Sequence, residues 1–220
     1  MIQSDTLTFI KDVAEHNNRE WFADNKDRYE TAKTDVLALV EQLIPKLAAI
    51  DPEFSIDTPA KKCLMRIYRD VRFSKNKDPY KNNYGISFNT KSKGIPDPGY
   101  YLHIQPGESF FAAGFWMPEA PVLKKVREEI DYNTSEFLDI IQAKSFQGLF
   151  ELEQTDKLKN APKGYDVGHP QIELLKLKSF IAVTPLKDQD FLKPAIVSQL
   201  SKAFESVYPF VQFLRNAVVQ

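Results

Sequence analysis

Hydrophobic residues recur along this chain with two different periods, and the changes of period divide it. Over residues 4–15, Leu7, Ile10 and Ala14 fall three and four positions apart, with Phe9 and Val13 beside them. That is the 3.6-residue period of a helix with one buried stripe. The pattern stops at Asn17-Asn18, and Asn17 followed three residues later by Glu20 has the spacing of a capping box. A second, long helix is therefore predicted from about residue 19 to 50, with Val36, Leu37, Val40, Leu43, Ile44 and Leu47 as its stripe. Pro45 should kink it, because proline lacks the backbone donor and crowds the preceding turn. Trp21, Phe22 and Tyr29 are assigned to core or rim packing ahead of ligand stacking. Residues 51–60, with Pro52 and Pro59, read as a connection.

From residue 64 the period shortens to two. A strand over 64–70 would put Met65 and Ile67 on one face and Arg66 and Tyr68 on the other. A strand over 84–88 turns Tyr84, Ile86 and Phe88 inward, with Gly85 and Ser87 opposite. A strand over 100–105 turns Tyr100, Leu102 and Ile104 inward and Tyr101, His103 and Gln105 outward. Residues 109–117 are apolar on both faces, which predicts a central strand. The connections KSKGIPDPG (91–99) and Pro106-Gly107 are short, which favours an antiparallel meander.

The helical period then returns. Helices are predicted over 119–132, on Val122, Val126 and Ile130, and over 136–143, started at Thr134 or Ser135. Residues 145–170 are loop-rich, Pro170 suits the first turn of a short helix over 171–176, and 177–186 reads as a further strand. A last helix runs from Lys193-Pro194 to about Val218 and should bend or break at Pro209. The sum is an α+β fold, one mostly antiparallel sheet packed by long N- and C-terminal helices. No repeat or change of composition marks a boundary, so residues 1–220 are expected to form a single domain.

Composition adds exclusions. At 43% hydrophobic and 27% charged residues the chain is expected to fold rather than stay disordered. The single cysteine, Cys63, rules out an intrachain disulfide and any multi-cysteine zinc site. The N-terminus lacks the basic start and apolar run of a signal peptide, and the longest apolar run, 110–117, is far short of the roughly 20 residues that span a bilayer. The expectation is a cytoplasmic protein without membrane contact.

Charge changes the picture most. Residues 61–81 hold eight lysines and arginines against two aspartates, +6 in a chain whose formal charge is −1, so the other residues carry −7. If the inward positions of the strands are as above, Arg66, Tyr101 and His103 share the opposite, polar face. Arg, Tyr and His offer directed donors to phosphate or carboxylate, and Arg a bidentate fork. Arg69, Arg72 and Lys81 add cations, and Ser74–Pro79 reads as a lysine-rich rim that would hold anions by point charge. Arg66, Arg69, Arg72, Lys81, Tyr101 and His103 are thus the candidate ligand-binding residues. His103, which titrates nearest neutrality, is the one candidate proton carrier. A second reading stays open: a solvated sheet face, with Arg66 snorkelling or paired to Asp70. The three histidines, His16, His103 and His169, have no metal-binding spacing, so no metal is expected, and no motif implies a cofactor. His169, before Pro170, is assigned to a turn or N-cap, with a cleft of Tyr165, Asp166 and His169 as the alternative.

The blocks NNREWFADNKDRYE (17–30), RIYRDVRFSKNKDPYK (66–81), PGYYLHIQP (98–106) and PKGYDVGHPQIELLKLKSF (162–180) resemble the domain-of-unknown-function 2461 family of bacterial and fungal proteins. The resemblance implies a single compact α+β domain and carries over no activity, cofactor or catalytic residue. Three function classes follow from the residues: a site for an anionic small molecule, with or without catalysis; a module whose basic segment docks an acidic protein partner; and, last, a nucleic-acid binder with Tyr68, Phe73 and Tyr80 as stacking platforms. The −7 on the rest of the chain weighs against the third.

Overall fold

The computed structural model describes residues 1–90 and 97–219, so most of the predicted connection 91–99 lies outside the described residues. Five strands form one antiparallel sheet: β1 (Tyr84–Phe88), β2 (Gly99–Ile104), β3 (Phe110–Phe115), β4 (Glu151–Leu152) and β5 (Phe180–Pro185), in the order β1-β2-β3-β5-β4. The first three follow one another as the short links predict, and β3, apolar on both faces, is the middle strand. β4 adds an edge, with Glu151 opposite Val183 and Leu152 opposite Ala182. Among the described residues no helix is long and apolar enough to cross a membrane.

The described residues group into two compact units. The first comprises Met1–Phe88, Tyr101–Phe111 and Pro185–Phe204. Here α1 (Ser4–Glu15) lays Leu7, Phe9, Ile10 and Val13 against α3 (Lys26–Ile50), which buries Val36, Leu39, Val40, Leu43 and Leu47. Fully burying side chains of this size contributes about 1.5–3 kcal/mol each, before chain entropy is set against it. Between them α2 (Arg19–Asp24) turns in Phe22, which stacks on Tyr80 at 3.9 Å, while Trp21 lies flat against Phe9 and His16. These aromatics pack, as expected.

The second unit comprises Asn89–Tyr100, Ala112–Thr184 and Glu205–Gln220. Its helices α5 (Ala120–Tyr132) and α6 (Thr134–Gln142) match the predicted pair. Phe137 packs edge-on or tilted against Phe180, Phe210 and Phe213. Short α7 (Lys144–Gln147) and α8 (Ile172–Leu175) bring in Phe146 and Leu175. Gly114 is required here. Its φ is +127°, and a Cβ would stand 2.1 Å from the Phe180 carbonyl oxygen.

Several expectations are corrected. The long helix from residue 19 is two helices, divided at Asn25, whose side-chain amide donates to the Trp21 carbonyl and so competes with the helical ladder. The cap is Asn18, whose Oδ1 accepts from the Trp21 N–H at 2.9 Å. Asn17 instead bonds both backbone groups of Tyr80, each at 3.0 Å. The predicted strand 64–70 is no regular strand. Ala60–Cys63 is a helical turn (α4), and beyond it the chain makes only isolated bridges, Leu64 to Ile86 and Tyr68 to Tyr80. Met65 is accordingly 44% exposed while Ile67 is buried, so the two do not share an inward face. Of the two outcomes expected at Pro209, a bend or a break, the break does not occur, and the helix that holds Pro45 is continuous too. α3 runs through Pro45, and α10 (Ala195–Val219) runs through Pro209, because the buried stripe outweighs one lost backbone bond. The one-turn elements α4, α7, β4 and α9 (Asp188–Phe191) are too short to show a period, and the sequence did not predict them.

Candidate functional site

The site grows from the alternation of β2. Tyr100, Leu102 and Ile104 are buried, and Tyr101, His103 and then Gln105 lie half-buried on the other face. They are hydrogen-bonded in series. The Tyr101 hydroxyl is 3.0 Å from His103 Nδ1, and His103 Nε2 is 2.9 Å from Gln105 Oε1. Gln105 Nε2 in turn donates to the Glu108 carboxylate. The direction of this chain follows from its end. A carboxylate only accepts, so the Gln105 amide nitrogen faces Glu108 and its oxygen faces the imidazole. That oxygen also only accepts, so His103 carries its hydrogen on Nε2, leaving Nδ1 as an acceptor for the Tyr101 O–H. The Asn83 amide nitrogen stands 3.3 Å from the same Nδ1, and Asn83 also bonds the phenol. Phe110 of β3 stacks on the imidazole, centroids 4.7 Å apart and 10° from parallel. Burial pushes the Tyr101 phenol above its ordinary value, and the Asn83 bond opposes that shift.

Gly85 of β1 makes room for this arrangement. A Cβ there would meet the Tyr101 hydroxyl at 2.8 Å and the Met65 sulfur at 3.1 Å. The same sulfur is 4.0 Å from the Lys81 ammonium. Met65, expected in the core, is thus the apolar lid between Lys81 and the Tyr101 face. Lys81 is half-buried and held below the ordinary lysine range, first by burial and then by the positive charge of Arg66. Among the described residues, no carboxylate forms an ion pair with either Lys81 or Arg66.

The other two arginines are engaged elsewhere. Arg72 grips Asp70 with two bonds, 3.0 and 2.7 Å, and holds that carboxyl below its usual range, with Arg66 adding a smaller attraction. The alternative pairing of Arg66 with Asp70 is therefore taken by Arg72. Arg69 donates to the Asp78 carbonyl at 3.0 Å and reaches Ser74 Oγ at 3.5 Å. Lys77 donates to the Val71 carbonyl at 2.9 Å. Arg69, Arg72 and Lys77 brace the basic loop with the donors that would otherwise face a ligand. The structure thus brings Tyr101 and His103 together and sets Lys81 beside Arg66, while Arg69 and Arg72 are turned to the loop. Asn83, Glu108, Phe110 and Met65 were missed. Gln105 was on the predicted face, and its spacing to Glu108 across Pro106-Gly107 was the one available signal.

Elsewhere, His169 takes the turn role. Its Nδ1 accepts from the Gln171 N–H at 3.1 Å, and its Nε2 is 2.8 Å from Asp131 Oδ1. Cys63 is buried and its thiol is pushed up to about 11, so Lys62 does not activate it. A groove of about 550 Å³ in the second unit is lined by Glu136 and Asp139 of α6 and by Ser206, Pro209 and Gln212 of α10. None of the six candidates lines it, and its charged side chains are acidic. Among the described residues no three His, Cys, Asp or Glu side chains gather as a metal site.

No curated protein and no solved structure matches this chain. A family model described as "Conserved hypothetical protein (DUF2461)" matches residues 5–213, nearly the whole sequence and all four blocks noted above, and the chain belongs to that family.

Proposed function

We propose that this protein binds a phosphorylated or carboxylated small molecule through Lys81 and Arg66, against the face that carries Tyr101 and His103. The observation behind this reading is the pair of neighbouring cations that form no ion pair with a carboxylate among the described residues, one of them half-buried and the other drawing only a minor attraction from Asp70. Like charges brought together and partly desolvated are held at a cost, and an anion seated between them removes it. Across Met65 from Lys81 the Tyr101 hydroxyl supplies a directed donor, and His103 behind it supplies a group able to exchange a proton, so acid–base chemistry on the ligand is part of the reading. Arg69 and Arg72 contribute field rather than contact. The same reading takes the protein as cytoplasmic, supported by the lone buried Cys63 and the absence of a long apolar helix among the described residues.

A thermal-shift screen of inorganic phosphate, sulfate, phosphorylated metabolites and dicarboxylates tests it. A ligand at ten times its Kd should stabilise by roughly 1.4 kcal/mol, a rise of about 3–6 °C at this chain length. Arg66→Ala and Lys81→Ala should each flatten the response. No shift in the wild type, or equal shifts in wild type and Arg66→Ala, would overturn the reading.

A second reading has its own observation. Phe73 is 95% exposed at the tip of the braced basic loop, under the Arg72 guanidinium at 5.8 Å. An exposed aromatic with an arginine over its ring, in a basic loop, suits an acidic protein partner. Co-purification with wild type that is lost with Phe73→Ser would favour it, and unchanged co-purification would remove it.

A further inference from the structure

We propose that anion binding at this site is coupled to uptake of one proton by His103, with the Tyr101 hydroxyl as the switch; the inference rests on the anion-site reading above. In the free site the hydrogens are accounted for. Nε2–H of His103 goes to Gln105, Gln105 to Glu108, and the Tyr101 O–H to Nδ1. The groups facing the imidazole are Tyr101 and Gln105 from β2, Asn83 from the approach to β1 and Phe110 from β3, with Glu108 behind Gln105. Of these, only Tyr101 and Glu108 are titratable, and Lys81 stands beyond Met65.

An oxyanion offers acceptors only. When it settles against Lys81 and Arg66, the Tyr101 O–H turns to it, a rotation about one C–O bond. His103 Nδ1 then loses the hydroxyl hydrogen and keeps only the Asn83 amide, 3.3 Å away and also bonded to the phenol oxygen. Nδ1 takes one proton from solution and donates it to the phenol oxygen. That oxygen now gives one hydrogen to the anion and receives two, from His103 and Asn83, so its capacity is filled. The one bond made is N–H at Nδ1, the one broken is an O–H of hydronium or of the buffer acid, and one proton enters per anion bound. The imidazolium keeps its second bond, through Gln105 to the Glu108 carboxylate, whose charge favours it. The ligand class is a tetrahedral oxyanion or phosphomonoester in its fully ionised form. Bound to a substrate, the same imidazolium–phenol pair would be a loaded general acid.

Sulfate is the probe, since it does not titrate near neutrality. Its affinity for the wild type, measured by calorimetry in buffers of different ionisation enthalpy, should fall about tenfold per pH unit above the histidine range, with proton uptake approaching one per sulfate. His103→Gln should bind sulfate with no uptake and no slope in the histidine range, leaving only the fall at higher pH that Lys81 causes. Titration of Lys81 would also weaken binding at high pH, so Lys81→Arg, whose charge persists, is the control and should keep the slope. Sulfate binding without uptake in the wild type, or the same slope in His103→Gln, would overturn the coupling while leaving the anion site standing. Failure of sulfate and phosphate to bind the wild type at all would remove both.

Discussion

His103 and His169 share a tautomer and differ in what faces each nitrogen, above all in what donates to Nδ1. Each carries its hydrogen on Nε2, and each has both ring nitrogens bonded. At His169 the donor to Nδ1 is the backbone N–H of Gln171, which cannot turn away or become an acceptor. A proton added there would break the bond and leave two donors facing one another, so the ring straps the 165–171 turn to Asp131 of α5. At His103 the donor is the Tyr101 hydroxyl, which reverses its role by rotating. The lesson is that a histidine with satisfied nitrogens is structural or proton-handling according to whether its partners can change direction. Glycine contrasts in the same way. Gly114 faces a backbone carbonyl, and Gly85 faces the ends of two side chains.

The contrast can be broken in order of expected effect. Gly114→Ala combines a positive φ with a methyl driven into the Phe180 carbonyl and the Phe210 ring, and should cost about 3–5 kcal/mol or prevent folding, as read by urea denaturation. A loss under about 1 kcal/mol would mean the backbone there yields as easily as a side chain. His169→Ala should cost about 1–3 kcal/mol, because it frees the Gln171 amide and Asp131, and should cost more than His103→Gln. The reverse order, in the same denaturation series, would exchange their roles. Gly85→Ala needs only Tyr101 and Met65 to shift, so about 1 kcal/mol is expected, together with loss of the Tyr101–His103 bond. Nitrogen NMR would report that loss as a change in the His103 Nδ1 shift, and an unmoved signal would contradict it.

The smallest effect is a pH slope. The folded-state pKa of Lys81 lies below its unfolded value, so the unfolded chain binds more protons in that interval. Stability should therefore rise as pH climbs through the folded-state pKa towards about 10.4, the ordinary lysine value, and Lys81→Met should lose that rise. Parallel stability–pH curves for the two proteins would refute the assignment. Added sulfate should shrink the rise, since a bound anion raises the lysine pKa.

What could be read from the sequence was local. The strict alternation over 100–105 placed Tyr101 and His103 on one face, the doubly apolar 109–117 placed β3 at the centre, and the 3.6-residue stripes located α1 and α10 nearly to their ends and α3 at its C-terminal end. Alternation failed at 64–70 because period two describes a chain that could pair on a sheet; it does not say that a neighbour exists along its whole length. Here the pairing is confined to isolated bridges, Leu64 to Ile86 and Tyr68 to Tyr80, and Met65 turns out over Lys81. Charge alone likewise ranked Arg69 and Arg72 with Arg66, since a count of cations cannot tell which donors a loop consumes in bracing itself. The folded loop made that choice by setting Asp70 and the Asp78 carbonyl within reach of two arginines, while among the described residues no carboxylate forms an ion pair with the third. The fold also joined Asn83 and Glu108 to the histidine and so set the direction of every hydrogen in the series. Where a strand forms, as over 100–105, the sequence by itself determined which side chains share a face, because that depends on local period; whether 64–70 found a partner, and which groups meet the histidine, depended on contacts that exist only in the fold.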